Sequence, residues 1–179
     1  WVWSRGEELV TDRFPELASA ALQSLPDGTV IDGEILVWLP GEPAPRPFAD
    51  LQKRLGRKTL TPKLLRELPV VLVAYDLLEH AGQDVREQPQ HARRALLEAL
   101  LQPPSTTIGE TPAVALRLSP LLQGADWQDL ARQREAARSL GTEGFMLKHR
   151  DAHYGVGRTK DVGVWWKWKI DPMSVDAVL

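Results

Sequence analysis

Residues 69–78 read PVVLVAYDLL, an almost continuous apolar run whose one charged residue is Asp76. Half-exposed strands alternate apolar with polar residues, so a run of this length and kind predicts a buried strand. Whatever the chain folds into must enclose it. Around it, PELASAALQSL (15–25) carries Pro at a first helical position and apolar residues at helical spacing. The turn Pro26-Asp27-Gly28 ends that helix, and TVIDGEILVWL follows as a β-rich run. A Pro-rich loop spans 40–47, with short helices expected in 47–56 and 62–68 and a longer one over 90–101. AVALRLS (113–119) alternates like a strand, and DWQDLARQREAARSL (126–140) reads as an amphipathic helix closed by Gly141. EGFMLKHR and VGVWWKWKI are the last strands. Strands and helices are mixed without regular β-α alternation, which indicates an α+β fold.

The 179 residues are 43% hydrophobic, enough for a substantial core in one domain or a domain plus a fragment. No stretch approaches 18 consecutive apolar residues, so no membrane span is expected. Cysteine is absent, which removes disulfides and thiolate metal sites. A net charge of -2 argues against non-specific coating of nucleic acid but leaves room for a local basic patch. Strand-like runs at both ends, Trp1-Val2-Trp3 without Met and SVDAVL, suggest part of a longer protein.

Four clusters could carry chemistry. In IDGEI, Asp32 and Glu34 share one face of a strand, and Gly33 between them marks close approach of a ligand or backbone. The two carboxylates suit a hydrated Mg²⁺, ribose hydroxyls, or simply solvent. In TEGFMLKHR, Glu143 stands at the mouth of a strand as a metal-ligand carboxylate or a solvated terminus, with Lys148 further along. WWKWKI (165–170) spends three of seven tryptophans beside two lysines. On a strand, Trp166, Trp168 and Ile170 form an apolar face, while Lys167 and Lys169 stand with Trp165 on the other. Two ammonium groups roughly 7 Å apart repel, which is useful where a polyphosphate lies across them. The alternative is a strand with lysines snorkelling over aromatic surface. In VAYDLLEHAG, the ring of Tyr75 at the end of an apolar strand suits purine stacking or the core. Arg5, in WSRGEE near a turn, suits phosphate or solvent.

In order, Arg5 in its Ser-Arg-Gly turn, TDRFPEL, DGE, an aromatic followed by DLL, EGFMLK and WWKWK resemble the nucleotidyltransferase motifs of ATP-dependent DNA ligases. The likeness covers nearly all of the chain and is strongest to bacterial ATP-dependent ligases, where an adenylation domain precedes an OB-fold domain. Motifs spaced in this order make a specific signal.

The resemblance implies a nucleotidyltransferase (ATP-grasp-like) adenylation domain of antiparallel sheets flanked by helices over 1–171, with 172–179 connecting to or starting an OB-fold domain. It implies Glu34, Glu143, Lys167 and Lys169 as catalytic residues. Glu34 lies beside ribose or metal with Asp32 in support, Tyr75 stacks on adenine, and Glu143 acts on the divalent ion. Lys167 and Lys169 bind the α-phosphate of ATP and of the AMP adduct. Arg5 contacts the 5′-phosphate of a nick, and Lys148 contacts phosphate or DNA. ATP and Mg²⁺ (or Mn²⁺) are the implied cofactors, and nicked double-stranded DNA the partner. The expected protein is a monomer in the bacterial cytoplasm, associated with the nucleoid, serving repair, recombination or replication.

Two departures stand out. Family members attack ATP with the lysine of a Lys-x-Asp-Gly motif, yet Leu25 and Val30 stand two before the Asp-Gly pairs at 27–28 and 32–33. Lys160-Asp161-Val162-Gly163 has the wrong order. The expectation is that the nucleophile lies before Trp1 and that these residues alone form no AMP adduct. Phe145 is also bulkier than the small aliphatic residue usual after Glu-Gly. Rival readings are an RNA ligase, a GTP-dependent mRNA-capping nucleotidyltransferase, and a non-catalytic nucleic-acid-binding module.

Overall fold

The apolar run forms β2 (Val70–His80), with Val70, Val71, Ala74, Asp76 and Leu77 all buried. The computed structural model describes residues 1–57, 59–101, 115–137, 142–155 and 164–171. β1 (Val30–Val37) pairs antiparallel along one edge of β2. The other edge takes β3 (Gln83–Asp84), antiparallel at Glu79–His80, and β4 (Leu116–Leu118), parallel at Leu72–Ala74. The expectation of antiparallel sheets thus fails at β4. The chain leaves β2 through α4 (Gln90–Leu101) before returning, and a crossover of that kind lays the next strand parallel.

Two apolar clusters hold this sheet. Phe14, Leu17, Val37, Leu51, Val70 and Leu116 pack together, joining α1 (Pro15–Ser24) and α2 (Phe48–Leu55) to the strands. Ala74, Leu77, Val85 and Leu97 form the second, which seats α4. Pro15 opens α1 at its first position, where a missing N–H costs no helical bond. The short α3 (Pro62–Glu67) is capped by Thr61, whose hydroxyl accepts from Leu64 N at 3.2 Å. Arg54 of α2 is wholly buried and forks onto Glu16 at 2.5 and 2.6 Å. It also donates to the carbonyls of Arg13 and Leu68 at 2.8 and 3.0 Å. A buried guanidinium stays only when its donors are met, so this one clamps TDRFPEL to α2.

These elements belong to a unit of Trp1–Pro120 with Arg150–Tyr154; Leu121–His149 with Gly155–Leu179 form a second. In the second, β5 (Gly144–Lys148) and β6 (Trp165–Lys169) make an antiparallel ribbon against α5 (Trp127–Ala136). Asp126 caps α5 by accepting from Asp129 N at 2.7 Å. The Trp168 ring meets Trp127 and Phe145 edge-on at 5.9 and 6.4 Å, and the Arg134 guanidinium lies 4.9 Å above it. The expected apolar face is therefore covered at Trp168, while Trp166 stays 47% exposed. No helix among the described residues is long and apolar enough to cross a membrane. The expected helix cap at Gly141, the Lys160–Gly163 tetrapeptide and the 172–179 connection lie outside the described residues.

Candidate nucleotide site

The first unit carries one group of candidate residues, built around a bulge. Asp32 pairs with Asp76 and Gly33 with Ala74, so Tyr75 is an extra residue in β2. β2 runs on to His80, placing Tyr75 within the strand rather than at its end. A bulge re-aims a side chain. Here the Tyr75 hydroxyl donates to Asp32 Oδ1 at 3.1 Å. Gly33 permits this: a Cβ there would sit 2.8 Å from Val73 O and from Leu72 Cδ1. Glu34, the next residue, is exposed.

Asp32 has a second partner that the sequence motifs did not flag. Tyr154 donates to Asp32 Oδ2 at 2.7 Å. Burial, then the charge and hydrogen bond of Asp32, push the Tyr75 phenol well above its ordinary range, with Tyr154 and Glu34 adding to the rise. The Tyr154 phenol is pushed up by burial first and then by Asp32, against Arg93. Over the Tyr154 ring lies Arg93, wholly buried, which grips Asp76 at 2.8 and 3.1 Å and donates to Ala152 O at 3.1 Å. Sequence reasoning missed it because charge is expected outside. The one signal was spacing, since Gln90, Arg93 and Leu97 share a helical face and are all buried.

On the second unit, Lys169 pairs with Gly144 across the ribbon, which brings its ammonium to Glu143 at 2.8 Å. The ion pair holds the Glu143 carboxyl below its usual range, chiefly through the hydrogen bond and charge of Lys169, with Lys167 adding to it. Both partners remain mostly exposed, 84% for Glu143 and 59% for Lys169. Lys167 is exposed on the same ribbon face, opposite Met146. Gly144 has φ 125°, and a Cβ there would lie 2.3 Å from Trp168 O, so the close approach of β6 depends on glycine. Lys148 extends its ammonium 4.0 Å over the ring of its cross-strand partner Trp165.

Arg5 is exposed at the tip of a hairpin closed by a Trp3–Leu9 bridge, with Ser4 N donating to Glu8 O at 2.9 Å.

For a divalent ion, the donors differ between the two places. Among the described residues no three His, Asp or Glu side chains stand together as a metal cage. Mg²⁺ keeps water and substrate phosphate oxygens beside one or two carboxylates. Glu143 is an exposed carboxylate of that kind. Both oxygens of Asp32 already accept phenols, so an ion would have to share or displace one.

The family described as ATP dependent DNA ligase domain matches residues 1–169. A probable DNA ligase of Koribacter versatilis is 33% identical over 99% of this chain and 32% of its own length. A DNA ligase of Haloferax volcanii is 35% identical over 99% of the chain and 28% of its own length. The chain thus spans about a third of such relatives. Among solved structures, mycobacterial DNA ligase D complexed with ATP and MES is similar at TM-score 0.66 and 32% identity. That match covers 93% of this chain and 46% of the other. Chlorella virus DNA ligase-adenylate, 18% identical with TM-score 0.60 over 93% of this chain and 55% of the other, shares the fold.

Proposed function

Because the chain belongs to the ATP-dependent DNA ligase domain family, we propose that it is the nucleotide-handling part of an enzyme that seals nicks in double-stranded DNA. In the whole protein a lysine attacks the α-phosphate of ATP and pyrophosphate leaves. AMP then passes to the 5′-phosphate at a nick, and the 3′-hydroxyl displaces AMP to join the strand. Each step moves charge onto non-bridging phosphate oxygens, so catalysis is mainly electrostatic.

The observation that carries this reading is the ribbon face presenting Lys167 and Lys169, with Lys169 already held by Glu143 at 2.8 Å. An ammonium kept in place by a carboxylate is oriented before the phosphate arrives, which lowers the cost of binding. Lys167 and Lys169 meet the α-phosphate, Tyr75 the adenine, and Glu34 the ribose. Glu143 is the carboxylate toward the divalent ion, with Asp32 acting as support. When bound, Mg²⁺ or Mn²⁺ supplies charge neutralisation at the phosphate oxygens. Arg5 contacts the 5′-phosphate and Lys148 the DNA backbone. Residues 1–171 form the adenylation domain and 172–179 lead to an OB-fold domain. The same reading makes the protein a monomer of the bacterial cytoplasm, working in repair, recombination or replication.

Nick joining by the full-length protein tests the reading, with ATP and with GTP. Sealing with ATP alone is expected, and sealing with GTP alone would overturn it. Neither Asp-Gly pair within these 179 residues carries a lysine two places before it. The chain by itself is therefore expected to gain no adenylate mass after incubation with ATP and Mg²⁺.

A further inference from the structure

The chain contains two tyrosines, and both phenols end on one carboxylate. Tyr75 comes from the bulge in β2 and Tyr154 from a segment 122 positions beyond Asp32. That segment is fixed at several points. His91 N donates to Arg150 O at 2.9 Å and Tyr154 N donates to Arg86 O at 2.8 Å. Arg93 binds Ala152 O, and its guanidinium lies 5.8 Å from the centre of the Tyr154 ring. The same Arg93 holds Asp76, the residue after Tyr75. The phenol of Tyr154 is therefore delivered to Asp32 by backbone that is itself anchored.

A carboxylate tied through both oxygens cannot rotate without losing a bond. With Tyr154 on Oδ2, Oδ1 is aimed at Tyr75, and the hydrogen bond pins the hydroxyl end of the Tyr75 ring. A flat ring serves as a stacking surface for a base only while it is held in place.

We propose that Tyr154 is a positioning residue for purine nucleotide, acting through Asp32 on the ring of Tyr75. This rests on the reading that Tyr75 meets the adenine. The phosphate-binding lysines are not part of the Tyr154–Asp32–Tyr75 contact, so its loss should weaken binding of the base and not of bare polyphosphate.

The test measures binding of ATP and of inorganic triphosphate to the 179-residue chain by calorimetry. Tyr154→Phe keeps the ring under Arg93 and removes only the hydroxyl. It is expected to weaken ATP about three- to tenfold, the loss for one side chain no longer pre-ordered, with triphosphate unchanged. Tyr75→Ala serves as the control and should lose more. If Tyr75→Ala weakens ATP and Tyr154→Phe does not, the proposal is overturned while the adenine reading stands. If the wild-type chain binds no ATP, or Tyr75→Ala binds it like wild type, the adenine reading fails and the proposal with it. Equal loss of ATP and triphosphate in Tyr154→Phe marks a general structural defect and also overturns it. A second measurement needs no variant: ¹³C NMR of protein carrying tyrosine labelled at Cζ alone gives one signal from each of the two tyrosines. ATP should shift both, and a Tyr154 signal that stays still while Tyr75 moves would overturn the coupling.

Discussion

Arg93 and Asp76 form an ion pair with both side chains wholly buried, bonded at 2.8 and 3.1 Å. One sits on α4 and the other on β2 beside Tyr75, so the pair joins the helix to the strand that bears the site. Removing one partner leaves an uncompensated buried charge, which costs about 3–5 kcal/mol. Against a whole-domain stability of about 5–15 kcal/mol, that is a large share. Arg93→Ala and Asp76→Ala should each lower the urea midpoint steeply. The double variant should lose less than the two losses added. Additive losses would mean the pair is not coupled as its geometry indicates.

Much of this was readable in the chain. β2 declared itself by composition, α1 by Pro15 and its spacing, and β6 by tryptophan–lysine alternation. What escaped depends on contacts distant in sequence. Tyr75 reaches Asp32 only because of a bulge that Gly33 accommodates, and the two residues are 43 positions apart. Glu143 and Lys169 were each flagged, yet their pairing follows from the strand register and not from either motif. Arg54 and Arg93 were invisible for another reason. Charge patterning assigns arginine to the surface, and only the folded chain supplies the carbonyls and carboxylates that let it be buried.

Gly144→Ala is expected to destabilise the ribbon. At φ 125° a side chain is strained, and the added carbon would meet the Trp168 carbonyl at 2.3 Å. Strain of that sort costs about 1–3 kcal/mol before the clash is counted. Gly6→Ala makes a fair control, because the nearest atom to its added carbon is 3.7 Å away. Tryptophan fluorescence during urea unfolding should separate the two, with Gly6→Ala near wild type. Equal midpoints would show that β6 can shift to make room.

The phenols of Tyr75 and Tyr154 should resist ionisation. Burial comes first, then Asp32, and both raise the folded value above the ordinary phenol pKa of about 10. A raised folded value gives stability that is complete below the unfolded pKa and lost as pH climbs through the folded one. Stability should therefore decline from about pH 10 upward. The rise in absorbance at 295 nm with pH reads these two residues alone, because the seven tryptophans do not ionise. The urea-unfolded chain should ionise near pH 10 while the folded chain does not. Asp32→Asn should bring the folded transition down, since the charge is gone and the amide offers a single acceptor oxygen. An unchanged transition in that variant would separate Asp32 from the effect.

Lys169 carries the sharpest kinetic expectation. Its ammonium is exposed and paired with Glu143, so Lys169→Ala should leave folding nearly untouched, as exposed ion pairs contribute little. On the proposed function, in the full-length protein it removes a charge that meets the phosphate oxygens. The loss in adenylylation or sealing should be about 10²- to 10³-fold, by analogy with removing one donor from an oxyanion site. The pair itself has a pH window. The Glu143 carboxyl is held below its usual range by Lys169, so the contact is intact above that range and is lost as pH falls through the lowered value. Glu143→Gln takes that window away and leaves Lys169 free to reorient. Rapid-quench kinetics would divide the outcomes. A Lys169→Ala enzyme that joins nicks at the wild-type rate would remove this lysine from the chemistry, whatever its place on the ribbon.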